Sequence, residues 1–354
     1  MSPAPEPRPG LRDVAPYDSP QIPVVASLNT NECPLPLPEA FSDDLAETVR
    51  AIELHRYPDG QMTALRTAIA DATDHVAGPG GVWVANGSNE ILTELLLAYG
   101  GPGRRVVTFE PTYLLHSRLA WLTHTEVAAV TLEPPFRLDA EVIDRALAAE
   151  PDVILVCSPN NPTGNGQDPE QVAELARRTQ ALVVVDEAYI EFGGRSALPL
   201  VAAEPNVAVV RTFSKAFALA GARLGYVLTT PVVVDDLQRV RLPYHVSSLT
   251  LAAGLTALRH TPEALERLDA IREQRDRIVT ELGAIEGLSV FASDANFVLF
   301  VPPMPAAQVW QRLLDRGVLV RDLSSVVPGA LRVTAGTKTE VDLFLTSLQE
   351  VLAA

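Results

Sequence analysis

The sequence predicts an α/β protein, a mostly parallel seven-stranded sheet sandwiched by helices with a smaller α+β C-terminal domain. Three observations point there. Seven short runs rich in β-branched residues recur at 81–85, 105–109, 127–132, 153–157, 182–185, 207–211 and 225–228. Helical patterns lie between most of them, at 91–99, 113–122, 140–149 and 170–180, which is how parallel strands are connected. Beyond residue 285 the alternation resumes in shorter pieces.

Taken in order, residues 1–30 read as an extended arm, because prolines at 3, 5, 7, 9, 16, 20 and 23 forbid regular helix. Residues 28–36 mix Asn, Thr and Glu with prolines and read as a structured loop. A helix is expected over 38–54, with Phe41, Leu45, Val49 and Ile52 at helical spacing, broken by the run from His55 to Gly60. The stretch 235–285 reads as long helices, with Ile271, Ile278 and Leu282 set among many charges. The tail predicts strands at 296–301, 318–321 and 331–334 and helices at 306–316 and 340–352. The expected domains are the arm 1–30, a large domain 55–245, and a small domain combining 31–54 with 246–354.

Composition narrows the function. The chain of 354 residues is 47% hydrophobic and 20% charged, which suits a globular protein with a large core. A net charge of -16 argues against nucleic acid or an anionic membrane as partner, and leaves any anionic substrate to local arginines. Cys33 and Cys157 fit no zinc spacing, so no metal is expected. Residues 1–10 lack the apolar core of a signal peptide and no apolar run approaches a membrane span, so a cytoplasmic location is expected.

Of 28 basic residues only Lys215 and Lys338 are lysines. Arginine stays protonated, whereas lysine can give up its proton and act as a nucleophilic amine. Lys215 lies among Phe213, Ala216, Phe217, Ala218 and Leu219, which would lower its pKa. Thr212, Ser214 and Arg223 beside it suit a phosphate, although a lysine packed by its stem in a Gly/Ala-rich turn would look the same. Ser88 and Asn89 follow a strand and open a helix, as an anion site or a simple cap. Residues 158–164, Ser-Pro-Asn-Asn-Pro-Thr-Gly, and Asp186 with Tyr189 follow two further strand ends, where ligands bind in such sheets. The glycine patterns of dinucleotide and P-loop sites and the His-Glu-x-x-His zinc pattern are absent.

With Asn31-Glu32, Arg56-Tyr57-Pro58, Gly87-Ser88-Asn89, Pro111-Thr112-Tyr113, Ser158 to Gly164, Asp186 to Tyr189, Ser214-Lys215 with Arg223, Arg321-Asp322 and Arg332-Val333-Thr334, the chain resembles the class II, fold-type I aminotransferases that use pyridoxal 5'-phosphate. The resemblance runs from about Leu28 to the end. It implies a cofactor held as a Schiff base on Lys215, which then moves the substrate proton. It implies that Asp186 pairs with the pyridine nitrogen, Asn161 and Tyr189 with the phenolic oxygen, and Tyr113 with the ring face. Thr212, Ser214, Arg223, Ser88 and Asn89 would hold the cofactor phosphate, joined by Tyr57 from the neighbouring subunit of a homodimer. Asn31, Tyr57, Asn161, Arg321 and Arg332 are the implied substrate contacts. The expected partners are L-histidinol phosphate as amino donor, in histidine biosynthesis, and 2-oxoglutarate as acceptor. An aromatic amino acid is the alternative donor; a phosphothreonine-type decarboxylase and a non-catalytic cofactor-binding module are more remote. One departure stands out: where the family often carries an aromatic residue or histidine after Asn31-Glu32, this chain has Cys33, Pro34 and Leu35.

Overall fold

The structure is a computed structural model that describes residues 5–16 and 19–353. The parts of the arm reading that rest on residues 1–4, 17 and 18 lie outside them. In chain order, the first elements are β1 (Ala26–Ser27), α1 (Glu39–Arg50) and α2 (Thr63–Ala72). Then come β2 (Val82–Ala85), α3 (Ser88–Tyr99), β3 (Arg105–Glu110), α4 (Leu115–Leu122), β4 (Glu126–Thr131), α5 (Ala140–Ala148), β5 (Val153–Cys157), α6 (Pro169–Arg177), β6 (Leu182–Asp186), β7 (Val207–Thr212) and β8 (Gly225–Leu228). The last third holds α7 (Pro231–Val240), α8 (Ser248–Arg259), α9 (Thr261–Glu266), α10 (Leu268–Gly283), β9 (Ser289–Val290), β10 (Phe297–Val301), α11 (Ala306–Leu314), β11 (Val318–Leu319), β12 (Arg321–Asp322), β13 (Leu331–Thr334) and α12 (Lys338–Ala353).

Seven strands form one sheet in the order β2-β8-β7-β6-β5-β3-β4. Only β8 runs against its neighbours, so the other six point the same way. Ala85, Glu110, Cys157, Asp186 and Thr212 therefore end on one edge. Every residue of β5 and β6 is buried, the pattern of a parallel sheet covered on both faces. A four-stranded antiparallel sheet, β12-β13-β10-β9, lies in the C-terminal part, covered by α10 against β9 and β10, with α12 packed on α10 and α11.

The expected sheet and its helices are present, with differences at element ends. The first helix stops at Arg50, so Ile52 lies in the turn beyond it. The 235–285 stretch is divided into α7 to α10: Pro243 follows the end of α7, Ser247 caps α8 by accepting from Thr250 N–H, and Pro262 opens α9. The 318–321 run is split between β11 and β12, which belong to different sheets. Within the arm, β1 pairs in parallel with β11, Ala26 opposite Val318. No helix among the described residues is long and apolar enough to cross a membrane.

Candidate active site

A cavity of about 460 Å³ opens at the carboxyl edge of the large sheet, roofed by the small sheet and the loop at residues 29–32. Lys215 stands at its centre, half-buried, with Nζ donating to the carbonyl of Thr30 at 3.1 Å. Burial, then the Arg332 guanidinium, lower its pKa to about 8; Glu32 opposes them, and Arg223 adds the weakest lowering effect. About a tenth of this amine is therefore neutral at pH 7 and about half at pH 8, far more than for an ordinary lysine, as a nucleophile requires.

One end of the cavity is a set of donors. β7 ends at Thr212, whose hydroxyl lies 3.0 Å from Ser214 Oγ, and Arg223 Nη1 reaches the same Ser214 oxygen at 3.4 Å. Opposite them α3 begins at Ser88, so its first N–H groups, which have no intrahelical acceptor, face the cavity wall. Two glycines make this approach possible. Gly87 has φ of 85°, and a Cβ there would sit 2.8 Å from Arg223 Nη2. A Cβ on Gly225 would meet Ser88 N at 2.3 Å, so β8 could not lie against the start of α3 with any other residue.

At the floor, Asp186 closes β6. Its Oδ1 accepts from Ala188 N–H at 3.2 Å and its Oδ2 lies 3.3 Å from His116 Nε2. His116 is fully buried on α4, one turn after Tyr113, and the two rings meet edge to face at 5.7 Å. Tyr113 also approaches Asn89, Oη to Oδ1, at 3.4 Å. Tyr189 is buried, and burial pushes its phenol up to about 12, so it remains a hydroxyl donor at neutral pH.

The opposite wall carries the arginines. Arg321 on β12 and Arg332 on β13 are directly opposite in an antiparallel pair, so their side chains share a face, and both line the cavity. Arg332 is 7% exposed, donates to the Asn29 carbonyl at 2.8 Å and to Asn161 Oδ1 at 2.5 Å, and lies over the Phe297 ring.

The cavity thus gathers Asn31, Ser88, Asn89, Tyr113, Asn161, Asp186, Tyr189, Thr212, Ser214, Lys215, Arg223, Arg321 and Arg332. Tyr57 stands apart from it, 81% exposed and stacked on Tyr244 at 4.6 Å. Cys33, Pro34 and Leu35 are not among the lining residues, whereas Leu114, Leu323 and Val326 are. Sequence reasoning missed His116, the Thr30 carbonyl and the roof residues Leu323 and Val326. For His116 the nearest signal was its position three residues after Tyr113, which says nothing of its contact with Asp186.

The chain matches the family described as aminotransferase class I and II over residues 23–348. Histidinol-phosphate aminotransferase of Frankia casuarinae is 48% identical over 359 residues, covering 98% of this chain and 90% of that protein. The protein of the same name from Thermobifida fusca is also 48% identical, covering 96% and 94%. Among solved structures, histidinol-phosphate aminotransferase from Sinorhizobium meliloti in complex with pyridoxal-5'-phosphate superimposes with a TM-score of 0.84 at 26% identity, covering 93% of this chain and 91% of that one. An L-threonine-O-3-phosphate decarboxylase from Porphyromonas gingivalis has the same fold, with a TM-score of 0.81 at 19% identity, so the fold by itself does not select the reaction.

Proposed function

This chain belongs to the class I and II aminotransferases, and from that premise we propose that it exchanges an amino group between L-histidinol phosphate and 2-oxoglutarate, a step of histidine biosynthesis. It is a pyridoxal-phosphate-dependent transaminase. The donor set fits the cofactor: hydroxyls, a guanidinium and a helix start at one end, a buried carboxylate at the floor, and between them a lysine with a lowered pKa. When bound, the cofactor supplies an electron-accepting ring and the carbonyl carbon that carries the amino group from donor to acceptor.

The residues of the chain do the rest in this reading. Ser88, Asn89, Thr212, Ser214 and Arg223 bind the cofactor phosphate. Asp186, braced by His116, holds a proton at the pyridine nitrogen. Asn161 and Tyr189 hydrogen-bond the phenolic oxygen, and Tyr113 covers the ring face. Lys215 Nζ carries a proton from and to the amino-bearing carbon of the substrate. Tyr57, exposed and outside its own cavity, reaches the cofactor phosphate of a second copy in a homodimer. The chain works in the cytoplasm.

The observation that carries the substrate assignment is the facing pair Arg321 and Arg332. Two guanidinium forks can hold a phosphate through several charge-assisted hydrogen bonds. Each charge-assisted hydrogen bond that a substrate without the phosphate forgoes is worth about 1.5–3 kcal/mol, roughly tenfold or more in affinity. A second reading, an aromatic amino-acid aminotransferase, draws support from Leu114, Leu323 and Val326, which offer an aromatic ring an apolar surface. A coupled assay with 2-oxoglutarate separates the two. We expect kcat/KM for histidinol phosphate to exceed that for phenylalanine or histidinol by at least tenfold, and equal values for phenylalanine would move the assignment to the aromatic enzyme.

A further inference from the structure

We propose that Thr334 and Asn31 are positioning residues that aim the hydroxyl proton of Tyr189 into the cavity, through a hydrogen-bond relay running from the small sheet to the large one. All three side chains are buried: Thr334 closes β13, Asn31 lies in the roof loop, and Tyr189 follows β6. Asn31 N–H donates to Thr334 Oγ1 at 3.0 Å, and Thr334 Oγ1 donates back to Asn31 Oδ1 at 3.1 Å. The other end of the amide, Nδ2, donates to Tyr189 Oη at 3.0 Å.

The direction of the relay follows from satisfaction of buried groups. If the Asn31 amide were turned over, Nδ2 would donate to Thr334 Oγ1, which already accepts from the Asn31 N–H. The Thr334 proton would then have no acceptor, and a buried unpaired hydroxyl is disfavoured. In the orientation seen, the Thr334 proton has an acceptor, and the donor left over is the Tyr189 hydroxyl, which lines the open cavity. The loop cannot easily turn away, because Asn31 has φ of 55°, a conformation asparagine tolerates, and its carbonyl accepts from Asn296 Nδ2 at 3.2 Å. With one lone pair of Tyr189 Oη taken by Asn31, the phenolic proton is left to point toward the open side, the cavity. Asn31 therefore lines the cavity with both ends of its amide held by the protein, and in this proposal it guides Tyr189.

This inference rests on the reading that the cofactor's phenolic oxygen lies beside Tyr189. A hydroxyl donor there favours the unprotonated phenolic oxygen. Thr334→Val removes the link that orients the amide at nearly constant volume. We expect the pH midpoint of the bound cofactor's absorbance to rise by up to about one unit, and kcat to fall by up to roughly tenfold with KM little changed. Thr334→Ser should restore both. Asn31→Asp replaces the donor by an acceptor that draws the Tyr189 proton away, and should move the midpoint the same way. Lys215, whose Nζ is 5.8 Å from the Tyr189 ring centroid, and the other charged or titratable groups facing Tyr189, namely Arg332, Asp186 and Cys157, are unchanged in these variants. A structural loss alone would lower the melting temperature and leave the midpoint in place. In a Tyr189→Phe background, Thr334→Val should add little, because the two act as one unit. A wild-type midpoint in both Thr334→Val and Asn31→Asp, or full additivity with Tyr189→Phe, would overturn the relay. Lack of cofactor absorbance in the unmutated protein would overturn the cofactor reading itself.

Discussion

The two walls of the cavity are built in different ways. The sheet wall takes its groups from strand ends and the few residues after them: Ser88 after β2, Asn161 after β5, Asp186 at the end of β6, Thr212 at the end of β7 with Ser214 and Lys215 after it. The roof is made by segments far apart in the chain. Arg332 donates to the Asn29 carbonyl across 303 residues, and Thr334 holds Asn31 across the same separation. A wall of strand ends is as rigid as the sheet behind it. A roof of paired loop and strand depends on the small sheet keeping its place. In the proposed reaction the rigid wall holds the cofactor, which stays, and the roof meets substrates, which come and go.

The comparison can be broken most severely at Lys215. Lys215→Ala should lower turnover by at least about 10²–10⁴-fold, the range ascribed to a positioned acid–base group, and should abolish the absorbance expected of a cofactor joined to this lysine. Full turnover in that variant would remove the centre of the sheet wall from the chemistry. On the roof, Arg332→Lys keeps the charge but loses the planar fork. Replacing one or two charge-assisted hydrogen bonds of about 1.5–3 kcal/mol predicts a loss of roughly 10- to 100-fold or more in kcat/KM, in both half-reactions. Single-turnover kinetics with each substrate checks this. Arg321→Lys should cost less, since Arg321 is the more exposed of the pair.

The sheet wall was largely legible in the sequence because its signals are local. A rare lysine, an acid closing an apolar run, and hydroxyls two or three residues from a strand end can be read without knowing how distant segments meet. All seven strands of the large sheet were found by their β-branched content; β5 and β6, parallel and fully buried, read as continuous apolar runs, and the edge strand β4, mostly not buried, still carries two valines and a threonine. The roof was legible only in part. Arg321 and Arg332 were visible as arginines within short strands expected at 318–321 and 331–334, but their exact pairing comes from the antiparallel register of β12 with β13. The Asn31–Thr334 link joins two ends of the chain, and β1 is two residues long with no periodicity to detect. His116 lay in a correctly expected helix, yet no local pattern says that this helix faces the end of β6.

A smaller effect sharpens the comparison by asking how far the roof tunes the wall. The free amine of Lys215 reacts when neutral, so cofactor uptake by the cofactor-free protein should speed up as pH rises and level off above about 8. After burial, Arg332 is the next cause of that low value. Arg332→Met should therefore shift the midpoint upward, and stopped-flow absorbance would detect it. An unchanged midpoint would make the two walls electrostatically independent. Smallest in amplitude is the recovery from mixed subunits. Lys215→Ala and Tyr57→Phe proteins, each impaired alone, should regain part of the activity on subunit exchange, because one site of the mixed dimer has both residues. No recovery after confirmed exchange would leave Tyr57 as merely the stacking partner of Tyr244.

The central claim, that Lys215 holds the cofactor between these two walls, has a direct test because the chain has only one other lysine, Lys338. Lys338 lies at the start of α12, exposed and paired with Asp342 at 2.9 Å. Borohydride reduction of the cofactor-loaded protein followed by peptide mapping should place the cofactor on the peptide containing Lys215 and on no other. Label on Lys338, or none retained on either lysine, would contradict the account.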